Sequence, residues 1–305
     1  MKRATLAVLV LAGAVGWIGA APQAAKQPTF ATPQEAAQAL IAAAERDDTA
    51  AVMKLFGPAG KDIVESGDPS EDKRMLEEFV TRAHAKMQIE PEPGNPDWDK
   101  LIVGDNDWPF PVPLVRKQGQ WYFDAEQGRM EILARRIGHH ELTAIDVCRG
   151  YVEAQMEYAA HDRSADGILE YAQKIISSPG KRDGLYWEGE PNNLVPKSFA
   201  DAAAAMLLSE GKKPLPYHGY YFHILKAQGA EAPGGALDYV VKGKMIGGFA
   251  LVAWPAEYGV SGIKTFLVSY QGTVYEKDLG PTTATLARAM THFNPDKTWK
   301  AVEGE

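Results

Sequence analysis

The stretch HDRSADGILEYA, residues 161–172, carries the side chains best spaced for metal chemistry. Asp162, Ser164, Asp166 and Gly167 fall at the first, third, fifth and sixth positions of a calcium-loop pattern. Such a loop closes on a bidentate acid at its twelfth position, which here is Gln173, while Glu170 falls at the ninth. The oxygen set Asp162, Ser164, Asp166 and Glu170 is therefore a calcium candidate with a low carboxylate count. It competes with a plainer reading, a helix end followed by a polar turn, where Asp and Gly are expected in any case.

Other stretches invite chemistry and fall short on spacing. SPGKRDG, residues 178–184, lacks the earlier glycine and the Lys-Ser/Thr pair of a phosphate loop. GVSG, residues 259–262, lacks the spacing of a nucleophile elbow, so Ser261 reads as a turn residue. His139 and His140 are adjacent and point to different sides of a helix, which disfavours shared metal ligation. His218 and His223 are five apart in an extended region and so lie on opposite strand faces. His84 reads as a solvated helix residue. The only cysteine, Cys148, can form no internal disulfide and reads as a small buried apolar residue on a helix. Tyr217, Tyr220, Tyr221, Trp254 and Tyr258 concentrate aromatic surface, either as core or as a surface for glycans or peptides.

These residues need elements to position them. The chain has 305 residues, 45% apolar and 24% charged, which suits about two folded domains. Its net charge is −8, and no basic run or basic-aromatic stripe stands out, so nucleic acid and anionic membrane surfaces are poor partners. Residues 1–21 read as a Sec-type signal peptide: Lys2 and Arg3, an uncharged run from Ala4 to Ala21, then small residues before Pro22. An uncleaved anchor is the alternative, because such a run is just long enough to span a bilayer. Cleavage leaves a chain of charge −10 with no transmembrane segment.

The fold class expected is α+β. In the first domain, residues 22–138, Thr32, Pro33 and Glu35 open a helix as a capping box. Ala36, Ala39, Leu40, Ala43 and Ala44 form its apolar stripe. A second helix ends at Gly57-Pro58. A third, capped by Ser70, turns Met75, Leu76, Phe79 and Val80 inward. A small antiparallel sheet follows from KLIVG, WPFPVPLVRK and QWYFDA, with a turn at Gly119 and Gln120. Pro109, Pro111 and Pro113 place the middle run at an edge or in an extended segment. The periodic run from Ala125 onward breaks at Gly138, where the domain boundary is placed. The second domain, residues 139–305, is then a long helix packed on an antiparallel sheet. That helix tracks one face through Leu142, Ile145, Cys148, Val152 and Gln155 or Met156. Phe266, Val268 and Tyr270 alternate with Thr265, Leu267 and Ser269, as in a sheet facing a helix on one side.

Three resemblances follow. Residues 30–125, with the TPQEA opening and the late GQWYFD strand, resemble nuclear-transport-factor-2-like domains, conical pockets used by enzymes and by binding proteins. Five blocks spread over the chain, LIVGDNDWPFPVPLVRK, RRIGHHELTAI, SSPGKRDGLYW, YHGYYFHILKAQG and MIGGFALVAWPAEYGVSGIKTF, are similar to a family of exported bacterial proteins, domain-of-unknown-function family 2950. That resemblance implies export and supplies no activity, cofactor or catalytic residue. Residues 139–280 resemble the globular head of type IV pilins and pseudopilins, where a helix packs on an antiparallel sheet. They differ in that a separate domain precedes the helix.

Together these readings describe an exported bacterial envelope protein, periplasmic or secreted. It would bind or assemble other envelope proteins or polymers without catalysing a reaction, and use no cofactor beyond the calcium candidate. The alternative is an envelope hydrolase with a pocket in the N-terminal domain, where folding gathers carboxylates and histidines.

Overall fold

A computed structural model describes residues 27–65, 69–207 and 215–303. The segment read as a signal peptide lies outside the described residues. The chain divides into two compact units, one ending at Glu131 and the other beginning at Ile132.

The first unit opens as local chemistry dictates. Thr32 accepts a hydrogen bond from Glu35 N–H at 3.2 Å, and Glu35 accepts from Ala31 N–H at 3.1 Å. Pro33 takes the first turn of α1, Pro33–Glu45. Its buried stripe is Ala36, Ala37, Leu40, Ala43 and Ala44, small enough to bring neighbours close. Asp48 caps α2, Thr49–Phe56, by accepting from Ala51 N–H, and Gly57 stops it at a φ of +71°. A short 3₁₀ turn leads to α3, Gly60–Val64, and then α4, Pro69–Ala85. On α4, Phe79 and Ala83 are buried while Met75 is 55% exposed, so the inward set expected for this helix is corrected at Met75.

The first sheet is β1 (Met87–Glu92), β2 (Asn95–Val103), β3 (Trp108–Pro109), β4 (Leu114–Lys117) and β5 (Gln120–Phe123). Its order is β1-β2-β4-β5, all antiparallel, with β3 also on β2. The run WPFPVPLVRK is thus two short strands parted at 110–113, where prolines interrupt the ladder. The turn into β5 is centred on Gln118 and Gly119, both at positive φ, rather than on Gly119 and Gln120. Leu40, Phe56, Phe79, Leu101, Leu114 and Phe123 form the core, with the rings of Phe56 and Phe123 edge-on at 5.5 Å.

Helix α5, Ala125–Ala159, runs unbroken through Gly138. A glycine in a helix interior costs only about 1 kcal/mol, which a long hydrogen-bonded helix absorbs, so the break expected there is absent. In the second unit α5 buries Ala144, Cys148, Tyr151, Gln155 and Tyr158, a spacing near 3.5 residues. Leu142 and Met156 point outward, at 65% and 44% exposed, so the face runs through Gln155. Helix α6 spans Lys197–Leu207.

The main sheet of the second unit is built from β6 (Tyr220–Leu225), β11 (Ala250–Pro255), β12 (Lys264–Ser269), β13 (Val274–Asp278) and β14 (Lys300–Ala301). The order is β14-β13-β12-β11-β6, antiparallel throughout. Two small hairpins accompany it: β7 (Ala227–Gln228) with β8 (Leu237–Asp238), and β9 (Val240–Val241) with β10 (Lys244–Met245). Helix α7, Thr283–Arg288, lies between β13 and β14 in sequence. Every residue of β11 is buried, and in β12 Thr265, Leu267 and Ser269 are as buried as Phe266 and Val268. Alternation along β12 led to the expectation of one covered face. Both are covered: α5 and α6 on the face of Tyr220, Phe222 and Phe266, and α7 with Phe293 on the face of Trp254, Leu267 and Tyr275. The protein is α+β, and no described helix is long and apolar enough to cross a membrane.

Candidate functional site

In the loop after α5 the four calcium-candidate residues are each bonded within the chain. Asp162 accepts from Gly167 N–H at 2.7 Å and from Asp166 N–H at 3.4 Å, an aspartate closing its own turn. The Gly167 amide, with its neighbours, holds the Asp162 carboxyl below the usual carboxylate range. Ser164 Oγ donates to Glu170 Oε1 at 2.5 Å. Lys244 from β10 sets its ammonium 2.5 Å from Asp166 and 3.0 Å from Glu170, and the two hydrogen bonds raise its own pKa. Positive charge for two of the three carboxylates thus comes from the chain itself. Among the described residues no group of three or more His, Cys, Asp or Glu is disposed to hold a metal ion.

The neighbouring SPGKRDG loop is likewise spent on structure. Asp183 accepts from Ser178 N–H at 2.7 Å and pairs with Lys174 at 2.8 Å. Burial alone would raise its pKa, but these partners overcome that and bring it to about 2. Arg182 pairs with Glu190 and, with Arg163, stacks on Trp187, the guanidinium carbons 5.2 and 4.8 Å from the ring centre.

Three separated stretches, around His140, Tyr220 and Ser261, meet at one corner of the second unit. His140 Nδ1–H donates to the Ser261 carbonyl at 3.0 Å, a tautomer fixed because a carbonyl can only accept. Glu141 accepts from Ile263 and Lys264 N–H at 2.8 and 2.9 Å, and Tyr220 donates to the Lys264 carbonyl. A Cβ at Gly219 would fall 2.4 Å from His140, and one at Gly262 only 2.2 Å from the Tyr220 hydroxyl. Ser261 Oγ turns back on Glu257. His140 Nδ1, Glu141 Oε1, the Tyr220 hydroxyl and Ser261 Oγ are thus engaged with backbone. Cys148 is fully buried, and burial pushes its thiol up to about 12. His84 pairs with Glu45 at 2.8 Å on the surface of the first unit. His218 sits in the turn before β6 at a φ of +45°, edge-on to Tyr217 at 4.4 Å, while His223 is exposed on β6.

A feature that sequence reading did not single out is a cleft of about 430 Å³ between α5 and the stretch leading into α6. One wall is four turns of α5, with Val147, Gly150, Tyr151 and Ala154 inward and Thr143, Asp146, Glu153 and Glu157 along the rim. The other is Leu194, Val195, Pro196 and Phe199, with Tyr217. The second wall is held firmly. Leu194 N–H bonds the Leu185 carbonyl, Asn193 bonds both Trp187 N–H and the Glu190 carbonyl, and Phe199 meets Tyr217 edge-on at 5.4 Å. Tyr217 is fixed by paired backbone bonds to Tyr220 around His218-Gly219. Of the aromatic concentration seen in the sequence, Tyr220, Tyr221 and Trp254 are core, and Tyr217 lines the cleft. The rim is acidic: Glu153 and Glu157 make no ion pair among the described residues, and Asp146 has only Arg149 at 3.8 Å. An apolar floor with a net acidic rim above it can hold a ligand and orient its charge.

No curated protein and no solved structure matches this chain. A family model does, over residues 27–302, which take in both units and the cleft. The chain therefore belongs to the family described as protein of unknown function DUF2950.

Proposed function

We propose that this is an exported bacterial envelope protein that works by binding or assembling other envelope components, with the α5 cleft as its contact surface. The observation that carries the reading is the cleft. It has a well-braced, largely apolar second wall, and its rim carries Asp146, Glu153 and Glu157, of which only Asp146 makes an ion pair, with Arg149 at 3.8 Å. The engagement of Asp166, Glu170, His140, Glu141 and Ser261 in structural bonds supports binding over turnover. The uncharged run behind Lys2 and Arg3 supports export to the periplasm or beyond.

The test is affinity capture from an envelope extract with the chain starting at residue 22, run beside a Gly150→Trp variant. Gly150 is exposed and a Cβ there meets no atom within 4 Å, so the indole fills the cleft without displacing core. A specific partner retained by the wild type and lost by the variant is the expected result. Hydrolysis of ester, glycoside or peptide substrates that disappears on truncating one polar side chain would overturn the reading.

A further inference from the structure

The cleft also says what kind of partner fits it. We infer that it takes an extended peptide segment carrying Lys or Arg side chains, an inference that rests on the cleft being the contact surface.

Asp146, Glu153 and Glu157 line the cleft, and among the described residues no Lys or Arg does. Of the nearby cations, Lys197 is held by Asp201 at 2.7 and 2.9 Å, while Arg149, 3.8 Å from Asp146, and Arg163, which interacts with Glu157, lie outside the lining and reduce the rim's negative charge without cancelling it. The chain as a whole carries −8, so a cationic segment is drawn toward it. A second copy of this chain, or an anionic polymer, would meet like charge.

From Thr143 to Glu157 the lining runs along α5 for about 21 Å at 1.5 Å per residue. That matches about six residues of extended chain at 3.3–3.4 Å each. The lining comes from two facing walls, a helix and a short stretch of loop and helix start, so the cleft is a trough rather than a ring that would enclose a small amine. Floor and rim match such a segment as well. Lys and Arg lay their aliphatic stems on apolar surface and keep their charge at the edge. Here Val147, Val195 and Phe199 lie below and the carboxylates above, with the Tyr217 ring available to a cation. Gly150, facing this space with nothing near a would-be Cβ, keeps the floor low at the cost of helix propensity.

The experiment is fluorescence anisotropy with a labelled hexapeptide alternating Lys and Leu, its Glu–Leu counterpart, and free spermidine as competitor. Two variants accompany the wild type: Gly150→Trp, and the triple Asp146→Asn, Glu153→Gln, Glu157→Gln, which keeps shape and removes charge. Circular dichroism melts confirm that each is folded. The Lys–Leu peptide should bind and the Glu–Leu peptide should not. The triple variant should weaken binding about tenfold, the sum expected of three exposed pairs, and salt of about 1 M should erase that difference. Equal binding of both peptides, undiminished binding by the folded triple variant, spermidine competing as well as the peptide mole for mole, or no peptide binding at all would each overturn the inference. Loss in Gly150→Trp alongside equal binding of both peptides leaves the contact surface standing and removes only its charge preference. Undiminished binding by Gly150→Trp removes the contact surface itself.

Discussion

Gln155 is the polar residue on which the second unit depends most directly. Its side chain is fully buried on α5. Nε2 donates to the Tyr151 hydroxyl and to the Ala172 carbonyl, and Oε1 accepts from Ala172 N–H, each at 2.8 Å. The amide thus bonds a backbone peptide as a neighbouring strand would, and it fastens the irregular stretch after residue 161 to the helix. Gln155→Leu keeps nearly the same volume, so it opens no cavity and isolates the polar cost. Ala172, 1% exposed, is left with both its N–H and its C=O unpaired in the core. Each such group costs about 1–3 kcal/mol, offset by about 1 kcal/mol of better apolar burial, for a net loss of about 3 kcal/mol. For a unit of this size that lowers the melting temperature by about 6–12 °C. Thermal melts by circular dichroism read the shift, and hydrogen exchange at the Ala172 amide reads its cause. Met156→Ala, one residue on and exposed, serves as the control and should stay within about 0.5 kcal/mol of the wild type. If Gln155→Leu melts with the wild type while the Ala172 amide stays protected, the pin is not what holds that stretch.

Asp183, with a folded pKa of about 2, lies below the ordinary aspartate value, so its contribution is present above about pH 4 and is lost as pH falls through 2. Its side chain is 37% exposed, so Asp183→Asn should cost only about 1 kcal/mol at neutral pH, and the gap to wild type should close between about pH 4 and 2. A gap that ignores pH would refute that account. Cys148 should resist thiol reagents at mildly alkaline pH until guanidinium unfolds the chain; prompt labelling of native protein would contradict its burial. Millimolar Ca²⁺ should leave the melting curve unchanged while Lys244 holds Asp166 and Glu170, and a rise of several degrees would restore a calcium role for that loop.

Much of the local structure was legible because capping and turn chemistry acts over three or four residues. Thr32 with Glu35, and Gly57 after α2, are of this kind. The β1–β2 hairpin was not legible as such: the strand pattern was picked up only from Lys100, past Pro91 and Pro96, yet β1 lies at the sheet edge, where the N–H missing at Pro91 costs little. Gly138 shows the converse, a residue that looks like a stop but sits in a continuous helix.

By itself, then, the sequence determined an α+β chain with the start of α1 and the end of α2, because those follow from hydrogen bonds between near neighbours and from hydrophobic period. It also set the acidic balance of the molecule. Tertiary structure alone decided that Gln155 rather than Met156 faces inward, since its partner is the peptide of Ala172. It decided that both faces of β12 are covered, and that Lys244, 74 residues beyond Glu170, neutralises the loop carboxylates. The cleft too belongs to the tertiary level: its walls come from residues 143–157 and 194–217, and no period or spacing within either stretch encodes the other.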